Sequence, residues 1–203
     1  MKKKINNEKI VIASHNKGKV SEIKDLLKNY DLKILSSSDL GIEEPEENGS
    51  SFEENAIIKS SVTSTLSKIV SLSDDSGLCV NALGGKPGIY SARWAGKNKD
   101  FGMAMKKIQK LMEKNDLLSK YNRRAFFVCS LSVYFPDGKN KVFNGRVNGH
   151  LQFPPKGLNG FGYDPIFVAK GYRKTFGEMN FHYKERISHR NIAFKKLIKF
   201  LKD

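Results

Sequence analysis

A chain of 203 residues with 39% hydrophobic and 28% charged residues can bury a substantial core and is too apolar to stay disordered. Its 36 Lys and Arg against 21 Asp and Glu give a net charge of +15, which reads as a nucleic-acid binder, as lysines simply frequent over many solvated faces, or as a field that steers anionic substrates. The two cysteines, Cys79 and Cys129, are far apart and lack metal-type spacing; they read as buried small hydrophobes in a reducing compartment, which excludes a disulfide scaffold. The basic start Met1-Lys2-Lys3-Lys4 is followed only by the short apolar run Ile10-Val11-Ile12-Ala13, too short for a signal peptide. The best apolar stretch, residues 125–135, is broken by Ser130 and Ser132 and is no membrane span. The expected location is the cytosol, with no membrane partner. No RNA- or DNA-binding signature accompanies the charge, so no specific nucleic-acid partner is expected.

In chain order, residues 9–14 form an apolar run of the buried-strand type, followed by the polar turn His15-Asn16-Lys17-Gly18. Val20, Ile23, Leu26 and Leu27 recur at three- and four-residue spacing and predict a helix over 19–30. A second short strand covers 33–35, and 43–50 is an acidic loop without apolar periodicity. Ser51 with Glu54 three residues on predicts a capping box opening a helix that runs to about residue 69. Residues 70–73 and 78–82 read as two strands around an acidic turn, and 84–88 as an irregular loop. A helix over 99–113 precedes a strand over 125–134. Pro136-Asp137-Gly138-Lys139 is a hairpin turn that returns 141–147 antiparallel. A glycine-rich loop over 157–165 leads into a short strand over 166–168, and an amphipathic helix over 187–201 closes the chain. Strands and helices alternate early and a hairpin comes later, which predicts a mixed α/β sheet without an evident domain boundary.

Four loops carry polar residues that folding alone does not require. Ser14-His15-Asn16-Lys17-Gly18-Lys19 lies between a strand and a helix, where backbone N–H groups and two lysines can hold a phosphate. It is not a Walker A loop, and a plain capping turn accounts for it equally well. Glu43, Glu44, Glu46 and Glu47, then Glu53 and Glu54, can hold a Mg²⁺ brought by a triphosphate, or merely form a solvated charge run. Ser73-Asp74-Asp75-Ser76-Gly77 suits one metal ligand and one general base, although the same residues make ordinary turns. Gly160-Phe161-Gly162-Tyr163-Asp164-Pro165 offers a ring for stacking on a base, or a strained turn whose rings fill the core. Ser188-His189-Arg190 opens the last helix, either as hydrogen-bond donors to a carbonyl oxygen or as an N-cap with exposed neighbours.

As an ordered set these stretches resemble the Ham1-type inosine/xanthosine triphosphate pyrophosphatase family. The resemblance runs through Ser14 to Lys19, Ser51-Phe52-Glu53-Glu54-Asn55-Ala56 with Lys59, and Asp74-Asp75-Ser76-Gly77-Leu78. It continues through Leu83-Gly84-Gly85-Lys86-Pro87-Gly88-Ile89-Tyr90-Ser91-Ala92-Arg93, the Gly160 to Phe167 stretch, and Ser188-His189-Arg190 with Ala193. It implies one domain over 1–203, an elongated mixed β-sheet flanked by helices, with two lobes and an active-site cleft between them. It also implies Mg²⁺-dependent cleavage of ITP, dITP and XTP to monophosphate and pyrophosphate, by a homodimer.

Carried over residue by residue, the resemblance assigns the triphosphate to Ser14, His15, Asn16, Lys17, Gly18 and Lys19. It assigns Mg²⁺ to Glu47 and Asp75, with Asp75 also the proton acceptor for the attacking water, and Lys59 and Asp74 as supporting charges. Glu47 is preferred to Glu46 by its distance from Phe52. Ser76, Phe161, Gly162, Tyr163, Asp164, Lys184, His189 and Arg190 are assigned to the nucleotide, the last two near the purine edge. The alternatives are a Maf-like nucleotide pyrophosphatase acting on other nucleotides and a basic nucleic-acid-binding protein. Ser188-His189-Arg190 and the Gly-Phe-Gly-Tyr-Asp-Pro loop favour the Ham1 type over the Maf-like one.

Overall fold

The structure, a computed structural model, describes residues 8–119 and 122–202. The basic start Met1-Lys2-Lys3-Lys4 lies outside the described residues. Six strands form one sheet in the order β2-β1-β3-β4-β5-β6. β1 (Glu8–Ile12) pairs in parallel with β2 (Leu32–Ser36), Ile10 opposite Ile34. On its other edge it pairs in parallel with β3 (Val70–Val80), Ile10 opposite Val70. A strand covered on both faces should be apolar at every position rather than every second one; Ile10, Val11 and Ile12 are all buried. β4 (Arg124–Tyr134) and β5 (Asn140–Leu151) are joined by the expected turn, closed by Phe135 N–H donating to Lys139 O at 2.8 Å. β5 pairs antiparallel with β6 (Phe167–Ala169). The sheet is therefore mixed, as expected.

The chain divides into two compact units, and β3, β4 and β5 each contribute one end to either. The first unit holds the chain up to Asp75, Cys129–Gly145 and the chain from Arg190 on. Its core joins Ile12, Leu72 and Leu131 from the strands to Ile23 and Leu27 of α1 (Lys17–Leu27) and to Phe194 and Leu197 of α6 (His189–Lys202). The second unit, Ser76–Val128 with Arg146–His189, has its own core. There α4 (Phe101–Lys114) buries Ala104, Ile108 and Met112, four residues apart, among Leu78, Phe127, Ile166, Phe167 and Phe176. Truncating any of these large side chains to Ala should cost about 2–5 kcal/mol. Cys79 and Cys129 are both buried free thiols; burial pushes Cys79 up to about 11 and Cys129 higher still. No helix among the described residues is long and apolar enough to cross a membrane.

Several local expectations are corrected. α1 begins at Lys17, because Asn16 is the N-cap and accepts from Lys19 N–H at 3.2 Å. Ser51 caps α2 (Phe52–Ser67) as expected, accepting from Glu54 N–H at 3.1 Å. The reciprocal half of the box is displaced by one residue: the Glu54 carboxylate accepts from Ser50 N–H at 2.7 Å instead. The acidic stretch 73–77 is no turn, since β3 runs unbroken through it. Two short helices escaped the periodicity, α3 (Ser91–Trp94) and α5 (Phe181–Ile187), the latter capped by Asn180 accepting from Tyr183 N–H at 2.8 Å.

Candidate active site

The first unit gathers charge where β3 carries Asp74 and Asp75. In a strand successive side chains leave opposite faces, yet here both carboxylates are buried, each with its own partners. Arg190 Nη2 donates to Asp74 Oδ2 at 3.0 Å, and Lys19 Nζ lies 3.4 Å from Asp74 Oδ1. Arg190 also pairs with Glu22, on the buried face of α1. On the other side Asn55 Nδ2 donates to Asp75 Oδ2 at 3.3 Å, and Lys59 Nζ reaches Asp75 Oδ1 at 3.4 Å while donating to Glu47. Asn55 and Lys59 sit four residues apart, so α2 presents both to one side. The unbroken strand now has a cause: hydrogen bonds from Arg190, Asn55 and Lys59 and the Lys19 ammonium beside Asp74 compensate two carboxylates that would otherwise demand a solvated turn.

These partners set the acidities. Burial alone would raise Asp74, but Lys19, Arg190 and Lys59 outweigh it and hold that carboxyl well below the usual range. At Asp75 burial wins over Lys59 and Lys19, with Glu47 and Asp74 adding repulsion, so its carboxyl lies above the usual range. Burial would lower Lys59, but Asp75, Glu47 and Asp74 raise it, and it stays an ammonium. The adjacent carboxylates thus carry opposite shifts, Asp74 downward and Asp75 upward.

Among the described residues no group of three or more His, Cys, Asp or Glu side chains is arranged to hold a metal. There is a two-carboxylate set instead. Glu47 and Asp75 both pair with the Lys59 ammonium, which brings one oxygen of each carboxylate close to a common cation, whereas neighbouring Glu46 is exposed. Mg²⁺ is commonly held by one or two carboxylates, with substrate phosphates and waters completing its shell. The donor set fits such an ion. The loop ahead of α1 is compact: Ser14 is buried and its Oγ accepts from Asn16 N–H at 3.2 Å, while His15 and Gly18 are half-buried and Lys17 exposed.

The second unit holds the other candidate residues. Lys184 of α5 donates to Asp164 Oδ2 at 2.7 Å with both side chains buried, and its ammonium lies 4.9 Å from the centre of the Phe161 ring. Asp164 Oδ2 also accepts from Phe161 N–H at 2.9 Å, folding the loop back on itself. Tyr163 is buried and donates to Ser91 O at 2.9 Å. His189 is buried with its ring stacked on Phe127, 4.8 Å between centres. Ser76 is half-buried beside Asp75 in β3, and Gly162 has φ +68°.

Gly160 has φ +74°, and a Cβ there would stand 2.0 Å from Asp164 Oδ2. Only glycine lets the chain pass so close to that carboxylate. Gly160→Ala should therefore displace the Asp164–Lys184 pair and lower the melting temperature; an unchanged melt, with nucleotide affinity intact, would contradict this packing.

The sequence profile of the Ham1 family matches residues 10–200. The chain belongs to the Ham1 family. It is 50% identical over 191 residues to the dITP/XTP pyrophosphatase of Zymomonas mobilis, covering 94% of this chain and 90% of that one. It is 45% identical over 197 residues to the dITP/XTP pyrophosphatase of Rhizobium meliloti, covering 92% of each. Among solved structures, a HAM1 protein from Coxiella burnetii superposes with TM-score 0.87 at 34% identity, covering 96% of this chain and 98% of that one. The Staphylococcus aureus Ham1 protein gives 0.82 at 43% identity with the same coverage.

Two polar partners in the first unit were not singled out as site residues, the carboxylate of Glu22 and the amide of Asn55. Glu22 left a signal, since it falls beside Ile23 on the apolar stripe of α1, where a carboxylate must find a partner. Asn55 gave no sign of a separate role within its helix.

Proposed function

We propose that this chain hydrolyses ITP, dITP and XTP to the nucleoside monophosphate and pyrophosphate. The observation that carries this reading is the buried Asp74–Asp75 step in β3, Asp74 bonded to Arg190 beside Lys19 and Asp75 bonded to Asn55 and Lys59. Family membership supports it, and so does the printed activity of the relatives. Asp75 would accept a proton from the attacking water, held in place by Asn55 and Lys59. Lys19 and the N–H groups opening α1 would bind phosphate oxygens, with Ser14, His15, Asn16, Lys17 and Gly18 shaping that loop. A Mg²⁺ held by Glu47 and Asp75 would neutralise charge developing on the phosphate. Phe161 would stack on the base, with Ser76, Gly162, Tyr163, Asp164, Lys184 and His189 supporting that contact. A homodimer in the cytosol is proposed with it.

The test is pyrophosphate release from ITP, XTP, GTP, ATP and dTTP with Mg²⁺. ITP and XTP should turn over fastest; equal rates across the panel, or release of orthophosphate, would overturn the reading. The metal assignment has its own check. Glu47→Gln removes one of the two carboxylates paired with Lys59, so the Mg²⁺ concentration for half activity should rise at least about tenfold, equivalent to 1.4 kcal/mol. An unchanged Mg²⁺ titration would remove Glu47 from the metal site.

A further inference from the structure

α4 carries a charge pattern that catalysis does not use. At about 100° per residue, Lys106, Lys107, Lys110 and Lys114 fall within an arc of about 100° on its outer face. All four are exposed, whereas Ala104, Ile108 and Met112 on the opposite face are buried in the core. Among the described residues none of these lysines has a carboxylate partner. The two nearby acids are engaged elsewhere: Asp100 caps α4 by accepting from Met103 N–H at 2.9 Å, and Glu113 accepts from Gln109 at 2.9 Å. Only Lys107 has another contact, its ammonium 4.4 Å from the centre of the Trp94 ring. The four lysines line a groove of about 540 Å³ along the helix together with exposed Met103 and the capping Asp100, so it carries four cations against one carboxylate.

Like charges three and four residues apart weaken a helix, so an external anion would stabilise an uncompensated ladder of this kind. The three-rung row Lys106, Lys110, Lys114 rises about 6 Å per step, and a nucleic-acid strand offers a phosphate about every 3.4 Å along its axis. A lipid surface suits the face less well, because an interfacial helix buries an apolar side in the membrane, and the apolar side of α4 is spent in the core. Over residues 90–114 there are seven basic residues against two acidic ones, so a part of the high net charge is concentrated here. We propose that this face of α4 binds the phosphate backbone of nucleic acid without reading its sequence.

The test is fluorescence anisotropy of a labelled DNA duplex titrated with the full chain from about 25 to about 200 mM KCl. Four neutralised phosphates give a slope of about −3.6 in log K against log salt. Changing Lys106, Lys107, Lys110 and Lys114 together to Gln should weaken binding at least about tenfold at low salt and flatten the slope, with ITP turnover kept. The control changes the exposed Lys9, Lys33, Lys195 and Lys199 to Gln, removing the same charge elsewhere. If the control weakens binding as much, the effect is diffuse net charge and the proposal fails. Stronger binding to phosphatidylserine vesicles than to the duplex overturns it too. Should the fourfold variant melt early, Lys106→Gln and Lys110→Gln singly must each reduce the slope by about 0.9.

Discussion

Asp75→Asn should lower kcat for ITP by about 10²- to 10⁴-fold, the usual worth of a positioned general base, while the protein stays folded. The amide keeps the size of the carboxylate. Lys59 keeps Glu47 as a partner, and Asn55 still meets an oxygen. The electrostatics favour the variant's fold. Asp75 has a folded pKa above its unfolded value, so the stability it contributes is full at low pH and is lost as pH rises through the folded pKa. The variant escapes that loss, and its melting temperature relative to wild type should improve as pH rises from the ordinary carboxylate range through the raised pKa of Asp75. Asp74 has the opposite sign: its stabilisation is present above the unfolded carboxylate pKa of about 3.9 and fades as pH falls through the folded value. In the metal-free wild type, an NMR titration of Asp75 should give a midpoint above that of an ordinary carboxyl, because burial outweighs Lys59 and Lys19, and added Mg²⁺ should bring it down. Retention of more than about a tenth of wild-type kcat at saturating Mg²⁺ would remove Asp75 as the base.

Local structure was legible wherever one segment decides its own fate. The all-apolar run of β1, the periodicity of α1, the cap at Ser51 and the hairpin turn at 136–139 each rest on neighbouring residues, and the structure keeps all four. The acidic stretch of β3 was misread for the converse reason. Asp, Ser and Gly favour turns when considered alone. Arg190, 116 residues away, and Lys59, 16 away, supply the bonds that make a buried strand acceptable there. Among the candidate residues, the Lys184–Asp164 pair spans 20 residues, and no pattern announces it. α5 hid because seven residues give too few turns for an apolar period. The ordered motifs supplied the identity of the polar residues; only the fold supplied their partners.

Arg190 is where partners change the meaning most. As a donor at the purine edge it would favour a 6-keto base, and its loss would cost ITP much more than ATP. In the structure its guanidinium is fully buried and bonded to Glu22 and Asp74. A planar fork that reaches two carboxylates at once holds the helix face of α1 to the acidic strand. Arg190→Ala would take a cation away from two buried carboxylates, leaving Lys19 beside Asp74. Breaking a buried pair in this way costs about 3–5 kcal/mol, or about 6–20 °C of melting temperature for a domain of this size. Asp74 would then lose one of the cations that keep it ionised, and the site should suffer alike for every substrate. The expected result is a large fall in melting temperature and in kcat/KM for ITP and ATP together, with their ratio unchanged. Glu22→Gln added to Arg190→Ala should recover part of the stability by removing one buried charge that has lost the Arg190 guanidinium, a coupling of about 0.5–3 kcal/mol. Arg190→Lys, which keeps the charge but not the fork, guards against a variant too unstable to assay. If ITP falls about 10- to 100-fold further than ATP in either variant, Arg190 reads the base after all, and its bonds to Glu22 and Asp74 serve to aim it.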